Sequence, residues 1–435
     1  MATLPASANS ERIITLDVIR GIAVMGIFSV NVVAMAMLQF AYFYPPAYGF
    51  HGFGDHLMWF LNFLFIDGKM RSIFSMLFGA SMLLVIDRAI AAGRSGWRTH
   101  YARMVVLLIL GWLHFAFLWW GDILTHYAAV GMVAVLLHKL RAKWLLMIAA
   151  FGFVVHAAVP AYFFSKEIPE YYASQKPDAP AALKKKWDER LKELSPSAEK
   201  LAKDRADHRN IATRFNAAMP ALAKGDFANA ASDVTDPLDL GPLWLETIAL
   251  MLLGMAGYKS GFLTGAWPDR SYRRIALIGL GTGFAVYALL GVRAWLAGFG
   301  PIEMFTATEI ATPIFRPIMA VGYSALFILL FRQRTAIRDR LAAVGRTAFS
   351  NYLGCTIIGT CVFYGFGGDL YAQVSRGQAW LLVPPVWALM LLWSKPWLER
   401  FNYGPFEWLW RSLARGKLQP MRKRQPEPLA TPAEA

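Results

Sequence analysis

Residues 13–38 read IITLDVIRGIAVMGIFSVNVVAMAML, and this apolar run decides the fold class of the chain. It exceeds the roughly 20 residues that a helix needs to cross about 30 Å of hydrocarbon. It is also too long for the apolar core of a signal peptide, and Asp17 and Arg20 lie inside its start. No small-residue cleavage site follows it cleanly. We therefore expect a first membrane helix that is retained.

Further apolar runs of similar character recur along the chain. Of its 435 residues, 56% are hydrophobic and only 17% are charged, whereas a soluble globular chain carries about 25% charged residues. This composition disfavours a soluble enzyme, a disordered chain and a collagen-like repeat. It predicts an all-α polytopic transmembrane helix bundle with about ten crossings. The further runs are Arg71–Ile86, Tyr101–Trp120, Ile123–Leu140, Trp144–Phe164, Leu240–Tyr258, Ile275–Leu296, Ile310–Phe331, Thr347–Phe366 and Ala379–Trp393.

The distribution of charge predicts the orientation. The formal net charge is +15, and in a soluble protein such a value would suggest nucleic acid. Here Lys and Arg cluster between the apolar runs, while loops 39–54, 121–122, 298–307 and 367–378 carry almost none. This is the pattern of the positive-inside rule. We therefore predict no nucleic-acid partner, both termini cytoplasmic, and a multi-pass protein of the bacterial inner (plasma) membrane.

One stretch does not fit ten full crossings. With this orientation, Gly54–Ile66 and Arg71–Ile86 together make one net crossing. We therefore predict that Gly54–Asp67 is re-entrant, interfacial or half of a broken helix, and two full crossings in a thin hairpin are the alternative. Gly68 permits a sharp bend there. Because broken elements at membrane depth are tolerated only beside protein or water-filled cavities, the break points to a functional region.

The segment 166–239 divides the chain into two membrane halves. It is charged and Ala-rich and has few large apolar residues, so we expect a small extracytoplasmic helical insertion that acts as a cap or lid. The predicted domains are a five-crossing half over 1–165, the insertion, a second five-crossing half over 240–414, and a basic, disordered tail over 415–435. The two halves share no convincing sequence repeat.

His114 is the leading candidate for a catalytic residue. Ionisable side chains within membrane spans are costly, so each is a candidate site. His114 lies eleven residues after Arg103, roughly 16 Å into the helix, and Asp122 follows at the next tight turn. His126 shares a helix face with Asp122 and is expected to face His114. An imidazole oriented by a carboxylate is a usual general base. The alternatives are a structural core histidine, an N-capping Asp122 and an interfacial His126.

Asp17 and Arg20 are expected to pair near the cytoplasmic boundary, because residues three apart share a helix face. The pair is either a helix-end ion pair or, together with Arg12, part of an anion-binding mouth, since planar guanidinium groups suit phosphates. Asn31, further along the same helix, is a candidate substrate ligand or a polar contact between helices.

Four charged residues complete the set of candidate ligands. Lys69 and Arg71 lie beside the predicted break and outside the charge rule, which suggests partners inside the fold. Glu246 and Arg316 lie early in their runs and are expected to face the interior as counter-charges.

Nucleotide-binding, nucleophile-elbow and HExxH motifs are absent from the sequence, and the two cysteines share one apolar segment. We therefore expect no metal, no disulfide framework and no covalently bound cofactor.

Several motifs resemble the YeiB-like family, also described as domain of unknown function 418. The resemblance extends from end to end of the chain and spares only the insertion; it implies a membrane protein whose activity is not settled. It also makes Asn351 a candidate ligand, since this residue lies in the family's Gly-Arg-x-Ala-x-x-Asn-Tyr pattern. The matching stretches are Arg12–Gly21, Gly26–Asn31, Lys69–Gly79, His114–Tyr127, Gly345–Tyr352 and Tyr403–Arg411.

The pattern Leu-Asp-x-x-Arg-Gly at 16–21 is also similar, more distantly, to the first helix of integral-membrane acyltransferases. This second resemblance implies transfer of an acyl group from cytoplasmic acyl-CoA to an extracytoplasmic or membrane-embedded acceptor, either a small molecule or a lipid or glycan. Under this hypothesis His114, oriented by Asp122 in a water-filled hollow, is the base. The phosphates of acyl-CoA, the co-substrate, would bind Arg12 and Arg20 together with one of three further arginines, Arg94, Arg98 or Arg103.

Two other functions fit the same sequence. The five-plus-five arrangement and the predicted break are compatible with a transporter or exporter of a small amphipathic molecule. A non-catalytic membrane scaffold is the third hypothesis. In each case the lipid bilayer is the first partner, and a homodimer is possible.

Overall fold

The computed structural model describes residues 13–194, 197–209 and 242–423, and Arg12 and residues 210–241 therefore lie outside it. The described residues are almost entirely helical and contain no β-strand, only a single bridge between Phe401 and Arg422. The helices are α1 (Ile14–Ala36), α2 (Gln39–Phe43), α3 (Phe53–Phe65), α4 (Lys69–Ala91), α5 (Gly96–Phe117), α6 (Leu124–Ala134), α7 (Ala142–Phe164), α8 (Glu167–Ser174), α9 (Ala181–Leu194), α10 (Ala198–Arg209), α11 (Pro242–Lys259), α12 (Asp269–Leu296), α13 (Pro301–Phe305), α14 (Thr312–Leu330), α15 (Ala336–Arg346), α16 (Ala348–Phe363), α17 (Arg376–Trp380), α18 (Val383–Arg400) and α19 (Pro405–Arg415).

Among these residues, seven helical segments are long and apolar enough to cross a membrane. Large apolar side chains lie exposed on their outer surfaces, for example Phe151 on α7 and Leu277 on α12, as expected where lipid rather than water is the solvent. The prediction of an all-helical membrane protein is thereby confirmed, while the count of ten crossings and the cytoplasmic termini stay predictions. The segments are Ile14–Ala36, Phe53–Ala91, Gly96–Phe117, Ala142–Ser174, Asp269–Leu296, Pro301–Leu330 and Arg376–Arg400.

The first helix is enclosed by later ones. Helix α1 packs against α4, α15 and α16, and most of its residues are buried. Its contact with α15 brings backbone against backbone, because a Cβ atom at Gly345 would lie 1.8 Å from the backbone oxygen of Asp17. Gly21 meets the backbone oxygen of Leu341 in the same way, at 2.2 Å. Because the two backbones lie so close, Asp17 and Arg20 lie where the first membrane half of the chain contacts the second.

The predicted break lies at residues 66–68. Helix α3 ends at Phe65, Gly68 takes a positive φ of 71°, and α4 begins at Lys69. A side chain at Gly68 would collide with Arg316, since a Cβ atom there would lie 2.8 Å from its Nε. The structure therefore has two helices joined by a sharp turn, which is the geometry of a broken helix. Whether Gly54–Asp67 crosses the membrane stays a prediction.

The described part of the insertion is helical, in α8, α9 and α10. Trp187 on α9 is buried against the ring of Tyr171, with ring centroids 5.1 Å apart, and Arg190 donates two hydrogen bonds to Glu167 at 2.9 and 3.1 Å. Arg205 forms an ion pair of 3.9 Å with Asp369, in the loop after α16. The described part of the insertion is thus a small helical unit that contacts the loop after α16 through Arg205.

Candidate functional site

His114, Asp122 and Thr356 form a hydrogen-bonded chain in the interior. The Nδ1 atom of His114 lies 2.9 Å from Oδ1 of Asp122, and Nε2 lies 3.0 Å from Oγ1 of Thr356. The side chains of His114 and Asp122 are only 1% and 0% exposed. Oδ2 of Asp122 accepts the backbone N–H of Thr125 at 2.8 Å. Asp122 therefore both orients the imidazole and satisfies a free N–H group in the first turn of α6.

The pairing of His114 with Asp122 follows from the sequence, whereas the contact with Thr356 does not. The tight turn between α5 and α6 brings the first two residues together locally. Thr356 lies on α16, and its hydroxyl is also 3.4 Å from the backbone oxygen of Tyr352. Because threonines in apolar helices commonly bond to the preceding turn of their own backbone, no sequence signal distinguishes Thr356 from Thr360.

The space beside this chain is a narrow crevice between α1 and α16, and it is too narrow to hold a water molecule. The water-filled hollow that the catalytic hypothesis expected is therefore absent from this crevice. Asn31 is the one candidate ligand on its wall. The wall residues are Val24, Ile27, Phe28, Asn31, Met35, Tyr352, Cys355 and Thr356.

His126 does not join His114, although the hairpin predicted that the two rings would face each other. Its Nε2 lies 2.9 Å from Oγ1 of Thr247, and its ring packs edge-on against Trp244, so it contacts α11. His114 instead contacts α16. The two imidazoles therefore belong to different polar groups of the protein.

The second polar group surrounds Glu246, which is fully buried on α11. One guanidinium nitrogen of Arg71 donates to its Oε2 at 2.6 Å, Arg316 lies 3.6 Å from its Oε1, and Nε2 of His156 lies 3.8 Å from Oε2. The prediction that Glu246 and Arg316 act as counter-charges is confirmed. His156 was missed, because an isolated histidine in the apolar run of α7 has no partner nearby in the sequence.

Lys69 also finds its partners inside the fold, as predicted. Its side chain is fully buried, its ammonium group donates to the backbone oxygen of Phe63, and it lies 3.2 Å from the centre of the Tyr287 ring. A cation over an aromatic face is stabilised by the ring quadrupole. The break between α3 and α4 is therefore the point where three basic side chains, those of Lys69, Arg71 and Arg316, meet in the interior.

A third group consists of arginines around Arg20. As predicted, Arg20 pairs with Asp17 at 3.0 Å, and it also donates to Ser81 at 2.7 Å.

Arg103 lies over the ring of Trp410, 4.0 Å from its centre. The guanidinium groups of Arg20, Arg411 and Arg415 are close enough to Arg103 to repel it. Arg94 and Arg98 lie exposed at the turn between α4 and α5.

The motif residues near the C-terminus have structural partners. Both oxygens of Glu407 accept hydrogen bonds at the start of α16, from the backbone N–H groups of Phe349 and Ser350 and from the Ser350 hydroxyl. Burial nevertheless leaves the pKa of Glu407 raised above its usual value. The amide of Asn351 donates to Thr347 and accepts from Trp393. The side chain of Asn351 thus joins α16 to α18, and its role as a substrate ligand stays a prediction.

The described residues contain no group of three or more His, Cys, Asp or Glu side chains that could hold a metal ion. Apolar helices of spanning length and buried polar groups together define an all-helical membrane protein. The family model described as "Protein of unknown function (DUF418)" matches residues 257–417, so this part of the chain is similar to that family.

Similar proteins cover nearly the whole chain. The uncharacterized protein YxaH of Bacillus subtilis (strain 168) is 29% identical over 98% of this chain and 99% of its own. The uncharacterized protein YeiB of Escherichia coli (strain K12) is 28% identical over 93% and 96%. An uncharacterized 39.9 kDa protein of Bacillus acidopullulyticus, encoded in the amylase 3' region, is 23% identical over 95% and 97%. No solved structure matches the chain.

Proposed function

We propose that this protein is a membrane-embedded acyltransferase of the bacterial inner membrane, with His114 as its base. It would use cytoplasmic acyl-CoA to acylate an extracytoplasmic or membrane-embedded acceptor. The observation that supports this proposal is the chain Asp122–His114–Thr356. A base held by a carboxylate on one ring nitrogen, with a hydroxyl on the other, is the arrangement that activates a hydroxyl for attack.

The hydrogen bonds assign a role to each ring nitrogen. An ionised Asp122 can only accept, so Nδ1 would carry the proton, and Nε2 would carry the lone pair that accepts from a hydroxyl at the position of Thr356. An acceptor hydroxyl or amine that takes the position of the Thr356 hydroxyl would give its proton to Nε2 as it attacks the thioester carbon. The carbon–sulfur bond then breaks, and the imidazolium returns the proton to the departing thiolate of CoA.

The arginine group supports binding of the phosphates of acyl-CoA. The guanidinium groups of Arg20, Arg411 and Arg415 lie near that of Arg103. Guanidinium groups bind phosphates through paired hydrogen bonds. Arg103 and His114 lie on the same helix, eleven residues or roughly 16 Å apart. An extended pantetheine arm along α5 would join the two groups. Because the crevice at Thr356 is closed to water, entry of the acyl chain requires side chains of α1 and α16 to separate.

Replacement of His114 tests the proposal. We expect His114→Ala to lower transfer of radiolabelled acyl groups in membrane vesicles by about 10²–10⁴-fold, as for loss of a general base. His138→Ala is the matched control, because the side-chain hydrogen bond that the structure gives His138 goes to the backbone oxygen of Val135 in its own turn. If His114→Ala keeps wild-type transfer at normal protein level, His114 has no part in the reaction.

A transporter of a small amphipathic molecule is the second candidate, and the cluster around Glu246 favours it. Charged groups beside a broken helix are typical of substrate paths in transporters, and a π-helical turn over Thr306–Ala311 precedes Arg316. Purified protein in proteoliposomes distinguishes the two functions. Flux of substrate in the absence of acyl-CoA would support transport, whereas flux that depends on acyl-CoA would support acyl transfer.

A further inference from the structure

We propose that the cluster around Glu246 is a binding site for an oxyanion, either a carboxylate or a phosphate group, with Arg71 and Arg316 as its principal ligands. The site is separate from the His114 group, and the inference does not depend on acyl transfer. It assigns a ligand to charged residues that would otherwise be a costly internal ion-pair network.

The first argument is that the buried polar atoms around Glu246 have too few hydrogen-bond partners among the described residues. Arg71 and Arg316 share the single carboxylate of Glu246. Among the residues that the structure describes, three buried atoms of this cluster have no hydrogen-bond partner, namely NH1 of Arg71, Oε1 of Glu246 and Nδ1 of His156. Buried polar groups are nearly always hydrogen-bonded, and each exception requires an explanation. A ligand with oxygen acceptors would satisfy the NH1 atom of Arg71.

The second argument is the sign of the charge. Arg71 and Arg316 are permanently charged, because a guanidinium group keeps its proton even inside a protein. Glu246 is the only acid in contact with the two guanidinium groups in the described part of the chain. Asp67 and Glu309 act on Arg316 only from a greater distance. The immediate surroundings of Glu246 therefore favour an additional anion.

The third argument is that part of the cluster can be reached from the protein surface. The side chain of Arg71 remains 25% exposed, whereas that of Glu246 is 1% exposed. A ligand can therefore reach the exposed part of Arg71 from the surface, whereas contact with the buried NH1 atom requires movement of the side chains around it. Glu246 then serves as a built-in anion that keeps the guanidinium groups compensated when no ligand is bound, and it competes with the ligand for them.

This competition gives an unusual prediction for Glu246→Gln. Removal of the built-in carboxylate should make external anions bind more tightly, by about tenfold or more for a charge removed within a few Å. The probes are inorganic phosphate and acetate, each compared with chloride at equal ionic strength. The readout is the anion-dependent rise in unfolding temperature of the purified full-length protein. A larger response to phosphate indicates a phosphate site, and a larger response to acetate a carboxylate site.

The double variant Arg71→Gln/Glu246→Gln removes one charge of each sign, which avoids a buried unpaired carboxylate, and it should lose the response. Arg190→Gln is the matched control, since Arg190 pairs with Glu167 on the insertion, and it should respond as wild type does. A response in Glu246→Gln no greater than in wild type, or a response that persists in the double variant, would overturn the proposal. Neither outcome bears on His114, which is tested separately.

Discussion

The hydroxyl of Thr356 satisfies the Nε2 atom of His114 in a dry part of the interior. Thr356→Val preserves the shape of the side chain and removes its hydroxyl, so we expect a loss of about 1–3 kcal/mol in stability from the unpaired nitrogen. Thr356→Ser keeps the hydroxyl and is the control. Thermal unfolding of both purified variants gives the comparison. Equal stability of Thr356→Val and wild type would mean that the contact contributes nothing.

These three side chains also show what a sequence can indicate about a site. His114 and Asp122 are eight residues apart at a tight turn, so their contact is nearly local. Thr356 lies 242 residues from His114, and its position depends on how α16 packs. The same holds for His156 and Glu246, whose helices meet only in the folded bundle. The charged residues of the site were recognised because charges are rare in apolar runs, whereas neutral partners carry no such mark.

Among the helices, α1 and α15 meet at a contact that leaves no room for added volume. Gly345→Ala places a methyl group against the backbone of Asp17, and backbone cannot rotate away as a side chain can. We expect a loss of about 1–3 kcal/mol or more, measured as a lower unfolding temperature and a lower yield of folded protein. Gly354→Ala is the control, because no atom lies within 4 Å of a Cβ there. If both variants match wild type, the two helices do not pack as described.

The helices were predictable where their apolar runs are long. The first run, 13–38, becomes α1 over Ile14–Ala36 almost unchanged, because length and hydrophobicity alone specify a membrane helix. The break was predicted from charge balance and from Gly68. What could not be predicted is that Arg316, from a distant helix, packs directly over Gly68. Such contacts depend on tertiary packing, which hydrophobicity does not encode.

The orientation of the protein as a whole can be tested with single cysteines. After Cys355→Ala and Cys361→Ala, the added change Lys185→Cys should react with a membrane-impermeant thiol reagent applied to the outer face, and Arg94→Cys should react only from the cytoplasmic face. Lys185 is highly exposed on the insertion and Arg94 is exposed at a basic turn, so each site is reachable on its own side. Labelling of both residues from the same face would contradict the positive-inside assignment.

The enclosure of α1 has a consequence for biosynthesis. The helix inserted first has its backbone partner, α15, more than 300 residues later in the chain. Until α15 emerges from the ribosome, the backbone of α1 at Asp17 and Gly21 lacks the neighbour that it contacts in the folded protein. We therefore expect the face of α1 that meets α15 to stay uncovered through most of translation, and C-terminally truncated products to be degraded rapidly.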